Sequence, residues 1–200
     1  MKRILFIALG LVFLASLCFA GGVQDAVRAV IAKKGGACGG GETYGYSNFS
    51  GAIAANLSDA STQLVGMYTN TCTGYVAKAK LRHIGTDSQT AKVLIYLDDG
   101  DNVPDAGDSL VTNCVSATIS SNTDAEIAEG AFTGCSITKD SVYWLAIAPG
   151  TVWRAAYVAG DVKSHYDDTC ESFDTQESNL GVCGWLADAN RKFLVQIVMD

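Results

Sequence analysis

Residues 97–110 read LDDGDNVPDAGDSL, which puts Asp98, Asp99, Asp101, Asp105 and Asp108 into one loop's length of chain. Carboxylates this close repel: a pair about 6 Å apart in water costs roughly 0.7 kcal/mol, and more beside a low-dielectric surface. Two kinds of chemistry account for such crowding. A hard cation relieves it, and calcium, which takes roughly six to eight oxygens from carboxylates, backbone carbonyls and water, is the cofactor expected. Asp99, Asp101, Asp105 and Asp108 would supply side-chain oxygens, with Asp98 or Asn102 completing the shell. The spacing is not an EF-hand's, because the fifth position counted from Asp99 is Val103 and no glutamate closes the loop. The second account is conformational: Asp, Asn, Gly and Pro are turn formers, and an acidic chain uses them freely.

Other chemistry-bearing residues are sparse. A second acidic stretch, HYDDTCESFD (165–174), offers Asp167, Asp168 and Glu171 to an ion or a sugar, or is a solvated loop tied by Cys170. The chain has two histidines, His83 and His165, and lacks GxSxG, HExxH and a phosphate-cradling glycine loop, so no enzymatic activity is expected. Tyr44, Tyr46, Trp153, Tyr157 and Trp185 are candidate platforms for sugar rings, competing with plain packing of the same aromatics.

These residues need a scaffold outside the reducing cytoplasm. Lys2 and Arg3 precede an apolar run from Ile4 to Ala15, and Cys18-Phe19-Ala20 sets small residues where a signal peptidase reads. Residues 1–20 are therefore read as an export signal, too short for a comfortable membrane span, and the protein as secreted or held at the cell surface. Cleavage after Ala20 leaves 180 residues, and 12 basic against 21 acidic side chains. That balance argues against nucleic acid and anionic membranes as partners, since both require clustered Lys and Arg.

Six cysteines remain: Cys38, Cys72, Cys114, Cys135, Cys170 and Cys183. An even number in an exported chain reads as three disulfides; neighbours in sequence (38–72, 114–135, 170–183) are the first choice among many connectivities. Without a CxxC, zinc is the weaker reading.

Residues 21–41 form an N-terminal arm and hinge. Val23, Ala26, Val27, Val30 and Ile31 recur at helical spacing, and the glycine-rich GGACGGGE follows. Residues 42–200 read as one β domain. YVAKAKLRHI alternates Lys78, Lys80 and Arg82 with Ala77, Ala79 and Leu81; AKVLIYL sets Val93, Ile95 and Leu97 on one face; VSATIS, SVYWLAIA, TVWRAAYVA and KFLVQIVM follow the same habit. Pro104 and Pro149 fall in predicted turns. Short strands without βα alternation predict an all-β, antiparallel β-sandwich of jelly-roll type. VYWLAIA and KFLVQIVM are apolar on both faces, so they are either covered within the chain or meet a neighbouring molecule.

The order VAKAKLRHIG, AKVLIYLDDGDNVPDAGDSL, TKDSVYWLAIA resembles a family of secreted bacterial jelly-roll modules. In that family a strand ending in IY leads into an Asp/Asn-Gly-Val-Pro-Gly loop, and a later strand reads YWLAV. Tyr96, Asp99, Gly100, Val103 and Pro104 match the loop, and Tyr143, Trp144, Leu145 and Ala146 match the strand, over roughly residues 44–160. Asp98, Asp105, Asp108 and the six cysteines depart from it. The resemblance implies a non-catalytic module of a surface protein or carbohydrate-active enzyme.

Together these features predict an extracellular structural subunit, calcium-stabilised, that self-associates into a homopolymer (a fibre, tube or surface layer) through its arm and apolar strands. A carbohydrate-binding or adhesion module with a polysaccharide partner is the alternative.

Overall fold

The computed structural model describes residues 37–45, 49, 53–57, 63–150, 153–159, 164–167, 178–180, 186–187 and 191–200. The predicted signal and residues 21–36 of the arm lie outside them, as do Tyr46, Cys170, Cys183 and Trp185. The described residues form an all-β, antiparallel β-sandwich, and none of them is helical.

One layer is a sheet in the order β1 (Thr43–Gly45), β15 (Val195–Met199), β4 (Gly74–Arg82), β8 (Ile127–Ala131), with β9 (Ser136–Ile137) also on β4. The other runs β13 (Leu186–Ala187), β12 (Ser164–Asp167), β3 (Gln63–Thr69), β10 (Val142–Pro149), β5 (Gln89–Leu97), β6 (Ser109–Val115), with β7 (Ile119–Ser121) also on β5. A three-stranded sheet, β14 (Arg191–Phe193), β11 (Trp153–Ala159), β2 (Ile53–Leu57), continues the first layer. It is tied there by the His83–Ala155 bridge and by Leu194 N–H donating to Ala156 O at 2.9 Å.

Strand alternation decides what each face meets. On β10, Tyr143, Leu145 and Ile147 point between the layers to join Leu81, Val93, Ile95, Val195 and Ile197 in the main core. The alternate residues Trp144, Ala146 and Ala148 join Val65, Leu94, Tyr96 and Leu180 in a second apolar cluster on the sheet's other face. Residues 178–180 run beside β6: Leu110 N–H donates to Ser178 O, Leu180 N–H to Asp108 O, and Ser109 bridges Asn179. The doubly apolar β10 is thus buried on both faces inside the chain, which is why it carries no polar alternation. Val195–Met199 of β15 is buried throughout as well. Of the two outcomes their patterning allowed, β10 and β15 are covered within the chain.

Several predicted strands are subdivided. VSATIS spans the end of β6 and the start of β7, because Ala117 N–H leaves the β5 ladder to bond Ala131 O of β8 at 2.7 Å. KFLVQIVM divides at Leu194 into β14 and β15. Pro149 is the last residue of β10, opposite Ala91, not a turn residue; a strand end is where the ladder tolerates a missing N–H. Leu97, at the exit of β5, is 39% exposed and lies off the core face occupied by Val93 and Ile95.

The glycine-rich hinge is anchored from Ala37 onward. Ala37 forms a parallel bridge with Thr73, Cys38 N–H donates to Thr73 O at 2.9 Å, and Gly41 N–H donates to Met199 O at 2.9 Å. The body therefore begins before residue 42, with its first described residues stitched to β4 and to the C-terminal strand.

Candidate functional site

The aspartate loop joins β5 to β6 as a long hairpin connection. Each carboxylate has a bonding task. Asp98 Oδ2 accepts Gly100 N–H at 3.1 Å, Asp99 Oδ1 accepts Asp101 N–H at 3.2 Å, Asp101 Oδ1 accepts Val103 N–H at 2.7 Å and Asp105 Oδ1 accepts Gly107 N–H at 2.6 Å. These are successive Asx turns, each side chain holding the backbone two residues on. Gly100 (φ 112°) and Asn102 (φ 62°) occupy left-handed backbone, where glycine is unstrained and asparagine is tolerated better than other side chains.

Asp108 closes the loop. Fully buried, it accepts Asp99 N–H on Oδ1 at 3.1 Å and Asp105 N–H on Oδ2 at 2.9 Å. Burial pushes its carboxyl up to about 6; the two backbone donors pull the other way, and the charges of Asp98 and Asp105 add to the rise. Asp98 is also buried and accepts the Trp144 indole N–H at 3.0 Å, which fixes the loop to the second apolar cluster. These bonds explain the crowding: the charges repel, and each is held by a donor the turn needs satisfied.

The five aspartates are the expected calcium ligands. Among the described residues, three ligand atoms lie within 4.8 Å of one another at Cys38, Glu42 and Cys72 rather than in the aspartate loop. Those two cysteines are already joined as a disulfide. The turn account explains the loop's internal hydrogen bonds.

Two of the predicted disulfides are formed, Cys38–Cys72 with Cα atoms 4.9 Å apart and Cys114–Cys135 with Cα atoms 4.6 Å apart, both within ordinary disulfide reach. The predicted Cys170–Cys183 pair lies outside the described residues. Cys114 reaches its partner through a bulge. Leu110 and Val115 face the outer cluster while Cys114 lies in the main core, so alternation slips by one residue between them, where the β5–β6 register shifts and Asn113 sits at φ 63°.

Of the predicted aromatics, Tyr44 lies beside Cys72. The Tyr44 hydroxyl lies 2.6 Å from Cys72 Sγ, 3.1 Å from Thr71 Oγ1 and 3.2 Å from Glu42 Oε2, and its ring stacks on Tyr68 with centroids 6.0 Å apart. Burial raises the Tyr44 phenol above its usual range, opposed by the Thr71 hydrogen bond and reinforced by Glu42. Tyr68 is raised further, by burial and by Tyr44. Both rings serve as packing for the core's end.

Trp153 is not a sugar platform. It is fully buried, its ring edge-on to His83 with centroids 5.5 Å apart. The reason is alternation: Trp153 and Ala155 share the inward face of β11, opposite half-exposed Arg154, which pairs with Asp87 at 3.1 Å. Tyr157 follows the same parity and packs half-buried against the core. The described aromatics thus do not form an exposed row. Sequence reading missed Trp144 as the partner of Asp98, and the available signal was its alternation with Leu145 on a strand apolar on both faces.

No protein-family model and no curated protein matches the chain. Among the described residues, no helix is long and apolar enough to cross a membrane.

Proposed function

We propose that the chain is a non-catalytic extracellular structural subunit that self-associates through the segment preceding Ala37. The observation supporting this reading is how the root of that segment is held. Cys38 is bonded covalently to Cys72, just ahead of the central strand β4, and its backbone is paired to Thr73. Pull on the N-terminal segment would pass through a covalent bond into β4 and its antiparallel neighbours instead of peeling β1 from the sheet edge. A sequence-amphipathic segment on a covalently reinforced root suits a head-to-tail contact, which propagates when it does not close. The two disulfides agree with an oxidising compartment. With β10 and β15 buried inside the chain, the contact this proposal uses is the segment preceding Ala37.

Electron microscopy and size-exclusion chromatography of the purified protein test it, with and without residues 21–36. The expected result is filaments or a concentration-dependent polymer for the longer form and monomer for the shorter. A full-length protein that stays monomeric while being retained on an insoluble polysaccharide would replace this reading with the adhesion alternative.

A further inference from the structure

Besides Arg82 Nε, three buried side-chain nitrogens among the described residues have no hydrogen-bond partner: His83 Nε2, Gln89 Nε2 and Trp153 Nε1. The residues that carry them are at most 1% exposed. His83 continues the inward alternation of Ala79 and Leu81, Gln89 that of Ala91 and Val93 from the facing layer, and Trp153 opens β11 with its ring against His83. The Gln89 side chain crosses between layers, its Oε1 accepting Arg154 N–H at 2.7 Å. All three therefore point into one end of the interior, where an unpaired polar group is costly and calls for a partner.

Their chemistry selects the partner. The Thr123 carbonyl can only accept, so His83 Nδ1, 2.9 Å away, carries the ring proton and Nε2 of the neutral ring presents a lone pair. Gln89, with its oxygen engaged, presents N–H, and Trp153 can only donate. A metal cation would face two N–H donors and an anion would face the lone pair. The complementary ligand is small, neutral, and both accepts and donates.

We propose that His83, Gln89 and Trp153 form a binding site for a single internal water molecule, which accepts from the Gln89 amide and the Trp153 indole and donates to His83 Nε2. The water joins β4 and β11 of one layer to β5 of the other. A crystal structure of the intact protein, at a resolution that shows ordered solvent, is expected to place a water about 2.7–3.2 Å from His83 Nε2 and from one or both of the other nitrogens. Water-oxygen magnetic relaxation dispersion is expected to lose one long-lived water in Gln89→Met or Trp153→Phe relative to the unaltered chain. If a variant does not fold, the crystal structure alone decides. Density showing no water there, a direct bond from His83 Nε2 to Gln89 or Trp153, or unchanged dispersion in a folded variant overturns the proposal.

Discussion

Asp108 shows what a single side chain does in a crowded loop. It is buried with both oxygens on backbone donors, and its folded-state pKa of about 6 lies above that of an unfolded aspartate. The neutral acid is therefore favoured by folding. Its contribution is complete below the unfolded pKa of about 4 and is lost as pH rises through about 6. Two pH units of separation correspond to about 3 kcal/mol at most, which solvent screening around the loop reduces to roughly 1–2 kcal/mol. In denaturant titrations the wild type is expected to lose about that much stability between pH 4 and 7 relative to Asp108→Asn, whose own curve lacks this component. Parallel curves would show that the carboxyl titrates normally. At pH 7 the Asn variant also presents an NH₂ to one of two N–H donors, costing about 1–3 kcal/mol for the group left unpaired. Trp144→Phe tests the neighbouring contact: it strips the indole donor from buried Asp98 and is expected to cost about 1–3 kcal/mol, measured by the same titration. The sequence displayed the aspartates and their two-residue turn spacing plainly. It did not display that Asp108 folds back onto Asp99 and Asp105, because that depends on closure of the whole β5–β6 connection.

Among the elements, legibility followed alternation. β4, β5, β10 and β11 were readable because charged or small residues interleave with apolar ones, or because an apolar run is bounded by turns. β3 was not, although it lies between β12 and β10, because QLVGMYT interrupts its pattern with Gly66. Bulges were hidden too: within β4, Val76 and Ala79 both face inward, three residues apart, where the β15 register slips between Val198 and Met199. Register also decided Trp153, whose burial is legible in retrospect from Arg154 beside it. Close approach of elements gives a further test. A Cβ on Gly130 of β8 would stand 2.6 Å from both Ala117 O and Ile119 Cγ1, so Gly130→Ala must push β8 away from the crossing chain. Overpacking of this kind is expected to cost about 1–3 kcal/mol in chemical denaturation, with the m-value unchanged. A neutral result would show that β8 floats free of the 116–119 crossing.

At the scale of the whole molecule, the two disulfides close loops of sequence separation 34 and 21 against a single core: Cys114 and Cys135 lie within it and Cys38 packs on it. Loops of this size restrict the unfolded chain by about 3 kcal/mol each. The bonds lie in different parts of the fold, one at the root of β1 and β4 and the other between β6 and the turn before β9, so their losses should nearly add. The combined effect, about 6 kcal/mol, is comparable to the whole stability of a small domain, about 5–15 kcal/mol. Oxidation thus supplies a large share of the body's stability, which is the physical link between its cysteines and the extracellular location proposed for it. Circular dichroism melts with and without a phosphine reductant measure this. The reduced protein is expected to melt about 12–24 °C lower, from roughly 2–4 °C per kcal/mol for a chain of this size, or to be unfolded at 37 °C. Each double replacement, Cys38→Ala with Cys72→Ala or Cys114→Ala with Cys135→Ala, is expected to give about half the shift. A reduced protein that melts within a few degrees of the oxidised one would mean that the apolar layers hold the sandwich unaided, and the argument from sulfur to compartment would fail with it.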